Sequence, residues 1–403
     1  MIAELLHKIP FDKLGGLGDM LFALLLGLVP ATLILLVIVT PVGLLGVWAE
    51  RRVSGRIQAR IGPNRVGISI GPIRHHLWGL GQSVADGVKL LGKEDFVPPG
   101  GDKFMFLLAP LITFAGSLGL FAVLPLASSL FAVDPNVGVF YVLAVGAIEV
   151  MGVLMAGWAS NNKWSLIGAM REVAQVVSYE IPMSIAALCP VLVVGSLKLS
   201  TIIVAQQDVN IWGASLGLPH GAGEWFLGWN LFAAFPFNII AFVIFYICML
   251  ANLKRAPFDL PESESELVAG FMTEYSGMRW GLFFLGEYAA MFVLSGITAT
   301  LFLGGWTGPL HWIAVHLCGG AAGPLWGTVD GATSIQWSAV IELIGGAAEF
   351  TWKTAVLFLL QIQVRWTLPR LRLDQVMSLC YKYLVPFAMV SMLFCALAGL
   401  VGR

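Results

Sequence analysis

Charged side chains are scarce in this chain: 12% of its 403 residues, about half of the roughly 25% usual in a soluble domain. Hydrophobic residues make up 58%. So little charge cannot clothe a water-facing surface, which excludes a soluble globular protein and leaves a multispan membrane protein. The five cysteines, Cys189, Cys248, Cys318, Cys380 and Cys395, show no C-x-x-C or Cys/His spacing. Neither a zinc site, an iron–sulfur cluster nor a disulfide framework is expected. The chain has no G-x-x-x-x-G-K-[ST] and no strand leading into G-x-G-x-x-G, which excludes nucleotide hydrolysis and dinucleotide binding by this chain. A net charge of -1 gives no reason to expect nucleic acid. Internal repeats are also missing, which argues against an inverted-repeat carrier.

What is present is a series of apolar runs, interrupted often by Gly and Pro, so kinked or broken spans are expected. At about 20 residues per crossing, eight candidate spans fall at roughly 21–48, 104–128, 138–158, 173–197, 233–252, 282–303, 340–364 and 383–401. The expected fold is an all-α polytopic membrane protein, a single membrane domain over 1–403, with about eight transmembrane helices plus a cytoplasmic amphipathic helix. The first run is too long for a signal-peptide core and lacks an A-x-A site, so it reads as a retained span. Placing the N-terminus outside puts the connections 49–103, 159–172, 253–281 and 365–382 in the cytoplasm, where they hold 18 of the 23 Lys and Arg. That asymmetry sets both termini outside.

Within the first inward connection, Ile73, Leu77, Leu80, Val84, Val88 and Leu91 recur at helical spacing, predicting an amphipathic helix lying on the membrane or on a partner. The outward connections 198–232 and 304–339 are rich in Gly and Trp. Interfacial anchoring is the expected role of Trp212, Trp225, Trp229, Trp306, Trp312, Trp326 and Trp337. His75 and His76 are adjacent and cannot share a helix face, so no metal pair is expected. Lys353, four residues after Glu349, predicts an intrahelical ion pair.

The acids carry the chemistry. RAPFDLPESESELVAGFMTEYSG, residues 255–277, holds Asp259, Glu262, Glu264, Glu266 and Glu274 between two apolar runs, with Glu287 shortly after. Ionisable groups near the bilayer interior are costly and mark proton or ion sites. Asp259 with Glu262 fits a capping box beside Pro261, and Ser263 with Glu266 offers a second register. Mutual repulsion within this cluster should raise at least one carboxyl pKa. Glu149 stands deep in the third span with no cation within a turn, so another helix, water or protonation must manage its charge. In REVAQVVSYEIP, Glu172, Gln175 and Tyr179 share a helix face with Glu180 about a quarter turn away, forming a polar stripe that enters the membrane. Pro182 removes a backbone donor one turn on and offers entry to water. The basic stretch ERRVSGRIQARIGPNRVG serves topology and lipid headgroups, while its Gly and Pro residues imply a shaped loop that could line a cavity.

ERRVSGRIQARIGPNRVG, ADGVKLLGKE, GWASNNKWSLIGAMREVAQVVSYEIP, RAPFDLPESESELVAGFMTEYSGMRWGLFFLGEYAAM and RWTLPRLRLDQVM together resemble the H subunit of proton-pumping NADH:quinone oxidoreductase, respiratory complex I. They cover the inward connections and adjoining spans from about residue 50 to 378. The resemblance implies a quinone tunnel coupled to a buried chain of charged residues. It implies partner subunits carrying the iron–sulfur clusters, FMN and the NADH site, other membrane subunits alongside, lipid around, and a prokaryotic cytoplasmic (inner) membrane. Carried over by motif, Glu149, Glu180, Glu262, Glu264, Glu266 and Glu287 would be proton-linked acids, with Glu172 and Tyr179 on the same stripe. Arg51, Arg60, Asp86, Arg255 and Asp259 would lie along the quinone path. Two departures stand out: Glu172 sits where the family often has a neutral residue, and Arg74 and His75 are extra residues before the surface helix. Competing readings are the membrane anchor of an energy-converting hydrogenase, a stand-alone proton-coupled solute carrier and a purely structural scaffold.

Overall fold

The computed structural model describes residues 40–401, apart from 65, 67, 71–72, 76–78, 129, 209, 212–213, 216–227, 262–263, 318–325, 330–331 and 336. In chain order the elements are α1 (Thr40–Ile57), the hairpin β1 (Ile68–Ile70) and β2 (Ile73–His75), α2 (Gly81–Gly92), α3 (Lys103–Phe121), α4 (Gly138–Ala159), α5 (Lys163–Val194) and α6 (Leu199–Ala205). There follow the hairpin β3 (Asn210–Ile211) and β4 (Ala214–Ser215), α7 (Asn230–Ala233), α8 (Phe237–Asn252), α9 (Glu264–Leu267), a 3-10 turn (Gly270–Met272), α10 (Gly277–Phe302) and α11 (Pro309–Leu317). The hairpin β5 (Trp326–Val329) and β6 (Ala332–Ile335), α12 (Trp337–Thr367), α13 (Leu373–Leu379), a π turn (Cys380–Leu384) and α14 (Val385–Val401) complete it. Among the described residues every long element is a helix, and the named strands form three antiparallel hairpins.

Among the described residues, six helical stretches are long and apolar enough to cross a membrane: Lys103–Phe121, Gly138–Ala159, Lys163–Val194, Gly277–Phe302, Ala339–Thr367 and Leu373–Val401. The chain is a polytopic helical membrane protein. α8 is apolar but shorter, at 16 residues. Most of the expected first span, 21–39, lies outside the described residues, and α1 supplies its end.

Two compact units make up the chain. The first comprises Met1–Phe96 and Ser276–Ala290, the second Val97–Tyr275 and Met291–Arg403. In the second, α5 is the hub, packing against α4, α8, α14 and the 3-10 turn. Capping explains its bounds. The Asn162 side chain accepts from the Trp164 amide, and the helix stops at left-handed Gly195, whose amide donates to the Val191 carbonyl. The same logic starts α3, where Asp102 accepts from the amides of Phe104 and Met105.

α5 extends upstream of the apolar run at 173–197 and starts at Lys163 behind its Asn162 cap, so 160–162 alone connect it to α4. Two expectations need correction. The amphipathic helix is confined to Gly81–Gly92. Ile73 belongs to β2, paired with Ile70, and Leu77 lies outside the described residues. Val84, Val88 and Leu91 on α2 are exposed, as an interfacial face requires. Two tryptophans are not simple interfacial anchors: Trp306 is buried, and the ring of Trp229 lies 4.8 Å from the Lys353 ammonium. Trp212 and Trp225 lie outside the described residues.

Candidate functional site

The second unit holds a buried charge cluster built from three segments. α4 presents Glu149, α5 presents Glu172, and the turn after α8 presents Lys254, whose Nζ lies 2.5 Å from Glu172 Oε1 and 3.3 Å from Glu149 Oε1. Glu172 and Lys254 are buried and Glu149 nearly so. The cation missing from the neighbourhood of Glu149 in sequence is therefore supplied from 105 residues away. Sequence reasoning missed it because Lys254 reads as one more cytoplasmic basic residue in NLKRAPF. Its backbone φ of 55° is rare for a side chain other than Gly or Asn and turns the chain back toward the helices. Helix packing brings Glu149 close as well. A Cβ built on Gly116 of α3 would lie 3.1 Å from the Glu149 nitrogen, so the two backbones approach directly.

The polar stripe of α5 is buried as its spacing predicts. Gln175 Nε2 donates to the carbonyls of Ala251 (2.7 Å) and Phe258 (2.9 Å), stapling α5 to both sides of the Lys254 turn. Tyr179 donates to the Val376 carbonyl at 2.9 Å and stacks edge-on against Phe258. Glu180 is half-buried and stands two turns beyond Glu172, ~12 Å along the axis, outside the cluster. Arg255 is buried and Asp259 half-buried.

The acidic loop meets the same helix at its other side. Arg171, adjacent to Glu172 in sequence, lies 2.6 Å from Glu266 Oε2, and Arg370 lies 3.0 Å from Glu266 Oε1. The expected repulsion among the acids does not govern Glu266. Its hydrogen bond from Arg171 is the main influence, and with the charges of Arg171 and Arg370 it holds the carboxyl below its ordinary value against an opposing desolvation. Since the folded state binds this proton less readily than the unfolded chain, the contribution is complete above the ordinary value of 4.5 and fades as pH falls below it. Relative to the intrinsic amide exchange rate at each pH, the protection of residues 264–272 should therefore fall on acidification below that value, and Glu266→Gln should show low protection at every pH.

The cap expectations change too. α9 starts at Glu264, so Asp259 lies too far upstream to cap it, whereas Ser263 directly precedes it. Glu262 and Ser263 lie outside the described residues, as does the side chain of Glu264. Glu274 accepts from Asn162 Nδ2 at 2.7 Å, tying the loop's end to the start of α5.

The first unit carries its own polar set. Glu50 on α1 is buried and accepts a short hydrogen bond from the Tyr288 hydroxyl of α10. Glu287, next in sequence to Tyr288, is buried as well. Glu50 was not singled out from the sequence because it heads a basic run that reads as a topology signal. Arg51 pairs with Asp86 at 2.5 Å, and Gln82 also donates to Asp86 at 3.1 Å. Both charges of that pair are partly exposed, and such pairs contribute about 0–1 kcal/mol. Arg60 is exposed and bonds its neighbour Gln58.

A family model described as NADH dehydrogenase matches residues 30–396. The chain is 45% identical over 353 residues to the H subunit of NADH-quinone oxidoreductase from Chlorobaculum tepidum, covering 87% of this chain and 86% of that protein. It is 44% identical over 388 residues to the H subunit of the Chlorobaculum parvum enzyme, covering 96% of each. A third relative, the H subunit from Anaeromyxobacter dehalogenans, is 45% identical over 344 residues, 85% of this chain and 75% of that one.

Proposed function

The chain belongs to the family of NADH-quinone oxidoreductase H subunits, and from that premise we propose that it couples quinone reduction to proton movement through its buried carboxylates. It is a multi-pass membrane subunit of a bacterial respiratory complex I. Family membership sets aside the hydrogenase-anchor and stand-alone solute-carrier alternatives. The observation that carries the coupling is the adjacency of Arg171 and Glu172. One holds Glu266 of the acidic loop; the other holds Lys254 and, through it, Glu149. A change of charge at the loop is thereby felt one peptide unit away in a buried cluster, where electrostatic interactions are screened far less than in water.

On this reading quinone reduction alters proton demand near the acidic loop, at Glu262, Glu264 and Glu266. The response passes to Glu172, Glu149 and Glu180, with Tyr179 on the same stripe and Glu287 as a further proton-linked acid. Arg51, Arg60 and Asp86, and separately Arg255 and Asp259, carry over by motif as residues of the quinone path. The chain offers quinone its protein environment, whereas FMN, iron–sulfur clusters and NADH belong to partner subunits that dock on the inward loops. Other membrane subunits and lipid cover the apolar helix faces, on which Phe140, Met151 and Trp158 are exposed. The positive-inside count orients the chain with its N-terminus outside a prokaryotic inner membrane.

Glu180→Gln tests the relay. Proton-transfer groups contribute about 10²–10⁴-fold, so NADH:quinone turnover and proton pumping should both fall by tenfold or more, with the complex still present in the membrane. Wild-type coupled activity in that variant would refute the relay.

A further inference from the structure

Buried hydroxyls on these helices normally close on their own backbone. Ser295 Oγ of α10 donates to the Met291 carbonyl and Thr298 Oγ1 to the Leu294 carbonyl, each at 2.7 Å. Thr354 of α12, equally buried, does not: among the described residues its hydroxyl has no protein partner. The same is true of Gln361 Oε1 on α12, Gln175 Oε1 on α5 and Asn252 Oδ1 at the end of α8, although the amide nitrogens of all three are engaged. Leaving one buried acceptor unmet is costly, and four within the second unit call for a common occupant. Water fits, since an enclosure offering several polar partners retains it where an apolar one stays dry.

The four atoms are not scattered. Gln175 Nε2 reaches the Ala251 carbonyl, next in sequence to Asn252. Met249, one turn before Asn252 on α8, touches both Thr298 Oγ1 (3.4 Å) and Gln361 Nε2 (3.6 Å) through its sulfur. Gln361 meets Ser295 Oγ at 2.8 Å, and further along the same two helices Lys353 Nζ reaches the Leu303 carbonyl, so α10 and α12 run antiparallel with Thr354 between these two levels. The line starts at the Lys254 turn and ends at the pair Glu349 and Lys353, ~12 Å along α12 from Gln361. About four hydrogen-bonded waters fill that length. Beyond it the Leu310 amide donates to Glu349, and neighbouring His311 has its Nε2 3.7 Å from Oε1 of half-buried Glu342, at the end of α12 that the positive-inside count places outside.

We propose that Gln175, Asn252, Gln361 and Thr354 hold a file of water that carries protons from the cluster at Glu172 and Lys254 toward the outer face. At each hop one O–H bond breaks and one forms. A proton entering at the cluster thus releases another at the outer end, and no redox partner is consumed. The neutral side chains orient the water without becoming charged. The inference rests on the proton-coupling reading above and adds to it a direction of exit through this chain's own helices.

The test uses the whole complex in native membrane vesicles. X-ray radiolysis in heavy-oxygen water turns a water beside a methionine sulfur into hydroxyl radical and leaves a heavy sulfoxide, so Met249 should be labelled several-fold more than Met151, which is exposed on the apolar face of α4. Thr354→Val/Gln361→Leu keeps the bulk of the line but removes its acceptors, so it should assemble normally on native gels and lose the Met249 label. Its NADH:quinone turnover and proton pumping, normalised to NADH:hexacyanoferrate reduction, should both fall about tenfold or more. Thr354→Val alone should show part of that loss, and Thr354→Ser, which restores the hydroxyl, should reverse it. A Met249 label no stronger than that of Met151 would overturn the proposal whatever the variants do. Turnover within about twofold of wild type in the double variant would do the same, as it would in Thr354→Val where the double variant fails to assemble. Glu180→Gln run in parallel separates the two levels. Wild-type coupling there, with Met249 labelled and the double variant slow, refutes the relay and supports the file, whereas a slow Glu180→Gln with Met249 unlabelled refutes the file alone.

Discussion

Replacing Lys353 with Met should nearly abolish accumulation of the assembled complex. Lys353 and Glu349 face each other within α12, 3.2 Å apart and essentially without solvent exposure, as their i,i+4 spacing predicts. The pair also closes a chain reversal. Lys353 Nζ donates to the carbonyls of Leu303 (2.7 Å), Gly305 (3.4 Å) and Thr307 (2.5 Å) where α10 ends, and Glu349 accepts from the Leu310 amide where α11 begins. Trp352 Nε1 donates to the same carboxylate at 3.2 Å. Removing one partner of such a pair costs about 3–5 kcal/mol, because the other charge is left buried. That is a large part of the roughly 5–15 kcal/mol that holds a typical protein folded. Glu349→Gln/Lys353→Met should recover part of the yield, since the stranded carboxylate is gone while the carbonyls remain without their donor. Native-gel band intensity and the temperature of aggregation in detergent measure both. Wild-type values for Lys353→Met would mean that this knot is dispensable.

The ion pair inside α12 was legible because both partners lie on one helix at a spacing that geometry fixes. The same is true of the stripe Glu172, Gln175 and Tyr179, whose shared face is the buried face of α5. Apolar runs were legible from composition alone, and among the described residues six helical stretches are long and apolar enough to cross a membrane. What the sequence withheld were partners brought from far along the chain. Glu149 lacks a cation within a turn yet meets Lys254, and Glu266 sits among like charges yet meets Arg171 and Arg370. α5 runs on beyond its apolar stretch to the Asn162 cap, because hydropathy marks only the part of a helix that can enter lipid and not where the helix begins. Glu172, a departure from the resembled family's pattern, acquires a reason in the same contact, since it is the nearer acceptor of Lys254.

A bulky side chain at Gly168 should uncouple the acidic loop from α5 while sparing the membrane fold. A Cβ at this position would lie 2.8 Å from the Gly270 Cα and 3.1 Å from both the Gly270 carbonyl carbon and the Phe271 nitrogen. Those neighbours are backbone atoms, and Gly270 itself has φ of 54°, so the turn cannot yield by a rotamer change. Overpacking of this kind costs about 1–3 kcal/mol, small enough for the spans to stay folded. The turn instead moves away from α5, stretching the Ser165–Phe271 hydrogen bond, drawing the Phe271 ring off Lys254 and disturbing the pairing of Glu266 with Arg171. Gly168→Val should therefore assemble at near-normal levels yet lose most of its quinone turnover, with Gly168→Ala in between. Hydrogen exchange should show faster opening at 264–272 in the same order. Full turnover in Gly168→Val, with exchange in that segment unaltered, would mean that the contact between α5 and the loop has no part in coupling.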